Sequence, residues 1–523
     1  MLLKLEDLTT EQKLGMLLCG RRSNYPEDFE YTLELVRNRS IACIQIPLDK
    51  KTPEYVAKIR EAADYPVIIV NDMEKGNPLS GYPFIPALTL AACNNPEYSR
   101  AFAKGIVSSA KKDGIDGIWG PIVDIHQVNT PCSNARLFGD NPEKVLSVTT
   151  EINKVFHQNG FMGTGKHYPG GKSLPFDNHM VENYSESTED ELVDFSLIPY
   201  FELMKQGLLP AIMVGHTTLV NIDPEYPASL SKKVIDIIRK HGFDGVSFTD
   251  SFAMMAILQK YGEESILGMA VAAGNDIILP NYRTSTKECY EMLIQNYRDG
   301  MFTEERLNEA VRRILTLMEF LESKRDIVPV MTERDIECLH NVARDCITAV
   351  TDDGVSANLG DKDKRRLFVV VTDNKFVANE PVMEITNERW YDPHGIADKI
   401  KEEFPNSEVV FVPEFATAGQ NEQVLLAATR HDEVVFVTYC FSTCYLGTDC
   451  MTRRTEMLIN CLIMSGKVST VVHFGNPHAV EPLQHVKRVI FGYTAPASQK
   501  FAIEVLSGKI EAKGTLPIKV DLQ

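Results

Sequence analysis

Up to about residue 285, short apolar runs rich in β-branched residues alternate with longer amphipathic stretches. The runs are Leu14 to Cys19, Ile41 to Ile46, Val67 to Asn71, Gly117 to Ile125, Phe161 to Lys166, Ala211 to His216, Val246 to Asp250 and Asp276 to Leu279. Such alternation is the pattern of βα units and a parallel sheet, and eight units predict closure into a (β/α)8 barrel. The polar residues Asp72, Asp124, Lys166, His167, His216 and Asp250 fall at strand ends. Solvated loop residues would scatter over strand starts and helix faces, whereas barrel strand ends converge on one mouth.

The stretch Thr303 to Ser323 carries Leu307, Ala310, Val311, Ile314, Leu317, Met318 and Leu321 at helical spacing, which predicts an amphipathic helix closing a first domain over residues 1–330. Residues 331–366 read as a helix from about Glu333 to Ala349 and then a polar linker, Thr351 to Arg366. Beyond it, Leu367 to Thr372, Glu408 to Val412, Glu433 to Tyr439, Thr470 to Phe474 and Arg488 to Phe491 alternate with helical patterns. They predict a smaller α/β sandwich domain over residues 367–523.

With 523 residues, 44% of them hydrophobic, the chain can bury cores of this size. A net charge of −18 disfavours nucleic acid and anionic membrane as partners. The amino terminus mixes Lys4, Glu6, Asp7, Glu11 and Lys13 among its leucines, so it has neither a signal-peptide core nor a spanning length, and a cytoplasmic protein is expected. The 11 cysteines form no CxxC pair. Cys440, Cys444 and Cys450 are the nearest set, but no suitably spaced histidine joins them, so no metal or cofactor is expected and buried free thiols are. Oligomeric state is not legible.

Two segments carry chemistry. Lys166-His167-Tyr168-Pro169-Gly170-Gly171-Lys172-Ser173-Leu174-Pro175-Phe176-Asp177-Asn178-His179 gathers two histidines, a carboxylate and two lysines around a glycine hinge, which suits it to hold a polar ligand and move protons. Gly170-Gly171-Lys172-Ser173 is like the end of a phosphate-binding loop, but that motif needs glycine where Lys166 stands, and Pro175 falls where a helix should run. Gly245-Val246-Ser247-Phe248-Thr249-Asp250-Ser251 delivers one acid at the C-terminal end of a strand. Local sequence favours Asp250 as a helix N-cap; a barrel context makes it a nucleophile. His179 alone reads as an ordinary loop histidine. Lys166 and Arg136 fit structural ion pairs with Asp72 or Asp124 as well as substrate contacts.

Seven motifs, in order, resemble glycoside hydrolase family 3: Leu8 to Gly15, Asn71-Asp72-Met73-Glu74, Ala135 to Glu143, Lys166 to Gly170, Pro227 to Ser231, Gly242 to Val246, and Ala273-Gly274-Asn275-Asp276. Gly475-Asn476-Pro477 and Gly514-Thr515-Leu516-Pro517 resemble the sandwich that follows the barrel in longer members. The loop ending Asp177-Asn178-His179 is similar to the β-N-acetylhexosaminidase branch. The resemblance implies Asp250 as nucleophile, His179 as general acid/base and Asp177 as its orienting partner, with Asp72, Arg136, Lys166 and His167 holding sugar hydroxyls. His216 joins the substrate-binding candidates, although a structural role fits it as well. The implied substrate is a β-linked amino-sugar glycoside. Phosphorolysis, β-glucosidase activity and a silent carbohydrate-binding protein stay open beside it. The chain departs from the branch where Gly171-Lys172-Ser173-Leu174 and Lys75 replace the usual loop residues.

Overall fold

The computed structural model describes residues 2–21, 26–127, 136–171, 176–372, 392–441, 444–445 and 450–522. Two compact units divide the chain: Met1–Tyr82, Ser99–Thr130 and Asn141–Ile336, and Pro83–Tyr98, Pro131–Asp140 and Glu337–Gln523.

In the first unit, β1 (Cys19–Arg21), β2 (Cys43–Gln45), β3 (Ile68–Asn71) and β4 (Gly117–Ile118) pair in parallel in that order. Then follow β5 (Thr164–Tyr168), β6 (Tyr184–Ser185), β7 (Ala211–Val214), β8 (Thr218–Leu219) and β9 (Val246–Thr249). The parallel set β5, β7, β9 continues the wall, and β6 and β8 form a separate small pair. Parallel bridges Gly117–Met162 and Ile122–Lys166 join β4 to β5, and Phe248–Ile277 and Leu18–Ile278 carry the ring through the Asp276 to Leu279 run back to β1. The backbone N–H of Cys19 donates to Ile278 O at 2.9 Å, and that of Thr249 to Ile277 O at 3.0 Å. The ring closes as a (β/α)8 barrel. Its strands are buried on both faces, which is why they read as continuous apolar runs. Gly117 is required at its close approach, because a Cβ there would stand 2.5 Å from Met162 Cβ.

The first expected strand is displaced. Leu14 to Met16 belong to the helix Thr10–Met16, and the strand begins only at Cys19. Thr9 and Gln12 form a reciprocal capping box that starts this helix, so the apolar run is the buried end of a helix rather than a stave.

At the N-terminal end of the wall, Asp276 is fully buried among Arg239 (2.8 Å), Arg306 and Arg313 (3.3 Å). Burial would raise its carboxyl, but Arg306, Arg239 and Arg313 outweigh it and hold it below the ordinary value. Asp276 also accepts the Ser247 backbone N–H at 3.0 Å, fixing β9 against its neighbour at the end opposite the mouth.

In the second unit, β10 (Thr348–Thr351), β11 (Arg366–Thr372), β12 (Glu408–Pro413), β13 (Glu433–Cys440), β14 (Val468–Gly475) and β15 (Arg488–Phe491) form one sheet in the order β10-β15-β14-β13-β11-β12. All pairs are parallel except β10 with β15. Val369, Val370, Phe436, Val471, Val472 and Ile490 are fully buried in its core. The expected helix to Ala349 stops at Asp345, and Thr348–Thr351 becomes the antiparallel edge strand. Leu88 and Ala92 from Pro83–Tyr98 belong to the same core, because the short helix Ala87–Ala92 is buried on every side. Among the described residues no helix is long and apolar enough to cross a membrane.

Candidate active site

Asp250 follows β9 at the C-terminal mouth of the barrel. It caps no helix: the next one, Met255–Leu258, has Met254 at its N-cap. Instead, one Asp250 carboxylate oxygen accepts the Ser251 N–H at 2.7 Å, and the side chain remains 18% exposed, so it can meet a ligand. Burial by itself would raise this carboxyl, but His167, His216, the Ser251 amide and Lys166 outweigh it and hold it below the ordinary carboxylate value. An ionised carboxylate at neutral pH follows.

His167, on β5, brings Nε2 to 4.0 Å from Asp250 Oδ2. Its orientation is set by Asp124, which accepts the His167 backbone N–H at 2.8 Å on both oxygens and lies 2.9 Å from Nδ1. Because the carboxylate accepts, Nδ1 carries the proton and Nε2 faces Asp250. The neighbouring Lys166 is buried to 4% exposure; its Nζ lies 2.5 Å from Glu74 Oε1 and 3.4 Å from Asp72 Oδ1, while Asp72 is 56% exposed. The lysine thus ties the loop after β3 to β5.

His216 is fully buried after β7. Its Nε2 lies 3.1 Å from the Ser251 carbonyl and its Nδ1 2.9 Å from Ser229 Oγ. A carbonyl only accepts, so Nε2 carries the proton and Nδ1 accepts from the serine. Burial lowers the imidazole below the ordinary histidine value, although Asp250 works the other way. Both nitrogens are occupied by protein, which fits a residue holding the Asp250–Ser251 backbone more closely than one meeting a sugar.

Asp177, buried, lies with one carboxylate oxygen 2.7 Å from His179 Nδ1. Backbone hydrogen bonds attach this loop to the segment after Asp250: Met255 N–H donates to His179 O at 3.1 Å and Ala256 N–H to Asn178 O at 3.3 Å. Lys172 to Pro175 lie outside the described residues. Arg136 sits on a turn in Pro131–Asp140, a segment of the second unit. Sequence reasoning named Glu74 only within the Asn71 to Glu74 motif, and Asp124 as a strand-end acid and an ion-pair candidate for Lys166 or Arg136, but gave neither a place in the site; the position of both just past barrel strands was the available signal.

A carboxylate held ionised at a barrel mouth, with a buried lysine, further acids and a carboxylate–histidine pair on the same unit, is the equipment of a glycoside hydrolase. The glycosyl hydrolase family 3 N-terminal domain matches residues 24–317, and the chain belongs to that family. A beta-N-acetylglucosaminidase/beta-glucosidase of Cellulomonas fimi is 24% identical over 98% of this chain and 94% of its own length. A beta-hexosaminidase of Tolumonas auensis is 29% identical over 43% of this chain and 69% of its own. The solved family 3 beta-N-acetylglucosaminidase of Paenibacillus sp. str. FPU-7 shares the fold, with TM-score 0.81 at 23% identity over 99% of this chain and 100% of its own. So does a beta-glucoside phosphorylase bound to 2FGlc, with TM-score 0.81 at 21% identity over 98% and 95%.

Proposed function

We propose that this enzyme is a retaining, exo-acting β-N-acetylglucosaminidase. The observation that carries the proposal is the joining of the Asp177–His179 pair, by Met255 and Ala256 N–H donors, to the segment that starts at Asp250. A retaining glycosidase needs one ionised carboxylate and one group that gives and then takes a proton. Asp250 attacks the anomeric carbon while His179 protonates the departing oxygen; His179 then deprotonates water, which releases the sugar from Asp250. Asp177 keeps the Nδ1 proton in place and stabilises the imidazolium. Asp72, Lys166 and His167 hold the sugar hydroxyls, and His216 and Asp124 position their neighbours. The names of the Cellulomonas and Paenibacillus relatives support N-acetylglucosamine as glycone.

A second reading, phosphorolysis, is favoured by the histidine itself: a neutral or cationic imidazole repels an anionic acceptor less than a glutamate would. The phosphorylase among the structural neighbours agrees with it. A panel of aryl β-glycosides (N-acetylglucosaminide, glucoside and N-acetylgalactosaminide), assayed with and without phosphate, tests glycone and acceptor together. N-acetylglucosaminide is expected to be turned over fastest. Equal or faster glucoside turnover would overturn the glycone assignment, and sugar 1-phosphate as the main product would establish the second reading.

A further inference from the structure

The loops after β9, after the Asp276 to Leu279 run and after β1 are consecutive around the barrel ring, and they hold two guanidinium groups with no part in the scheme above. Arg21 ends β1, and Tyr282 and Arg283 follow Leu279. Since every stave is parallel, all three residues stand on the same face as Asp250. Both guanidinium carbons lie over the Tyr282 ring, that of Arg21 at 5.1 Å from its centroid and that of Arg283 at 4.6 Å. Arg283 Nη1 donates to the Ala253 carbonyl at 3.2 Å, and Phe252 N–H to Leu279 O at 3.0 Å. The cluster is therefore fastened to the loop that begins at Asp250.

The arginines are held together without a carboxylate between them. Among the described residues neither forms an ion pair, and the acids nearby are committed elsewhere. Asp28 accepts the Thr286 N–H at 2.7 Å, and Glu263 accepts from Asn281 and from the Thr284 hydroxyl at 2.8 Å. Burial of Arg21, and the like charge of Arg283, both work against the Arg21 cation, with Asp28 acting the other way. A tyrosine face compensates a cation only in part. It leaves the N–H edges of each planar fork, the geometry that matches carboxylate and phosphate oxygens.

We infer that Arg21, Tyr282 and Arg283 form a subsite for an anionic group, carboxylate or phosphate, on the molecule that leaves from or attacks the anomeric carbon held at Asp250; this rests on the glycosidase reading. A carboxylate enters on the leaving group. Phosphate enters as acceptor, its oxygen bonding to the anomeric carbon as the Asp250 ester bond breaks, which yields a sugar 1-phosphate.

The test compares two aryl β-N-acetylglucosaminides of equal leaving-group acidity, one with a neutral aglycone and one with a carboxylate. Both are assayed with and without inorganic phosphate, in the wild type, Arg283→Gln, Arg21→Gln and the charge-conserving Arg21→Lys. A carboxylate source predicts a wild-type preference for the carboxylated substrate that falls by about tenfold in each glutamine variant and weakens with salt. A phosphate source predicts phosphate-stimulated turnover that the same variants lose. A ratio between substrates and a phosphate response that all variants share with the wild type would overturn the subsite. If no glycoside is cleaved, the glycosidase reading fails instead, and the subsite is then judged by titrating inorganic phosphate alone: binding by the wild type that both glutamine variants lose supports it, and equal or absent binding overturns it.

Discussion

One oxygen of Asp177 serves His179 twice, lying 2.7 Å from the ring Nδ1 and accepting the backbone N–H of the same residue at 2.9 Å. Ring and main chain are thereby fixed by one buried carboxylate, which engages the ring through Nδ1. Asp177→Asn replaces an obligate acceptor with a group that can also donate and so disturbs the tautomer. We expect kcat/KM to fall by roughly 10²- to 10⁴-fold for a sugar leaving group and by much less for a nitrophenolate, which departs without a proton. Equal losses on both substrates in single-turnover measurements would remove the dyad from acid catalysis.

Asp250→Asn keeps the size of the side chain but removes the proposed nucleophile. Turnover of every glycoside should drop by at least about 10³-fold, with no covalent adduct trapped by a 2-fluoro glycoside in intact-mass measurements. Retention of the adduct would assign the nucleophile elsewhere.

Asp276→Asn leaves Arg239, Arg306 and Arg313 around an uncharged side chain in a buried setting. Breaking one partner of a buried ionic cluster costs about 3–5 kcal/mol, so the denaturant midpoint of the barrel should fall clearly while any residual folded enzyme keeps its KM. A midpoint within error of the wild type would show that the three arginines tolerate the loss.

His473, on β14, is fully buried, with Nδ1 2.8 Å from Thr438 Oγ1 and Nε2 2.8 Å from Asn476 O. Burial pushes its imidazole down from 6.5 to about 4. Between these values the unfolded chain binds a proton that the folded one excludes, so the contribution is intact above about pH 6.5 and declines as pH falls towards 4, where it has cost about 3 kcal/mol. Unfolding free energies at pH 7 and pH 5 should differ less in His473→Gln than in the wild type. An unchanged pH slope would assign acid sensitivity to other groups.

The sheet strands were legible because a parallel strand covered on both faces leaves an uninterrupted apolar run, as in Val369 to Val371 or Val434 to Val437. Leu14 to Leu18 gave the same apolar signal from a helix end, and only the Thr9/Gln12 capping box distinguishes the two. Thr348–Thr351 was hidden because four residues continuing a helical pattern carry too little periodicity to be separated from it. In the site, Asp250 was legible only through its place at the end of a barrel strand, and the Asp177–His179 pair only through the family resemblance. The partnership of Asp124 with His167 and of Glu74 with Lys166 spans 43 and 92 positions in the chain, and no local pattern encodes it.

The attachment of His179 and Asn178 to Met255 and Ala256 runs through main-chain atoms only. Any residue with an N–H at 255 and 256 supplies the same two donors, so side chains along this loop are free to diverge while His179 stays in register with the segment that starts at Asp250. That is the freedom on view where Gly171 to Leu174 depart from the hexosaminidase pattern. Proline alone, lacking the donor, is barred from those two positions.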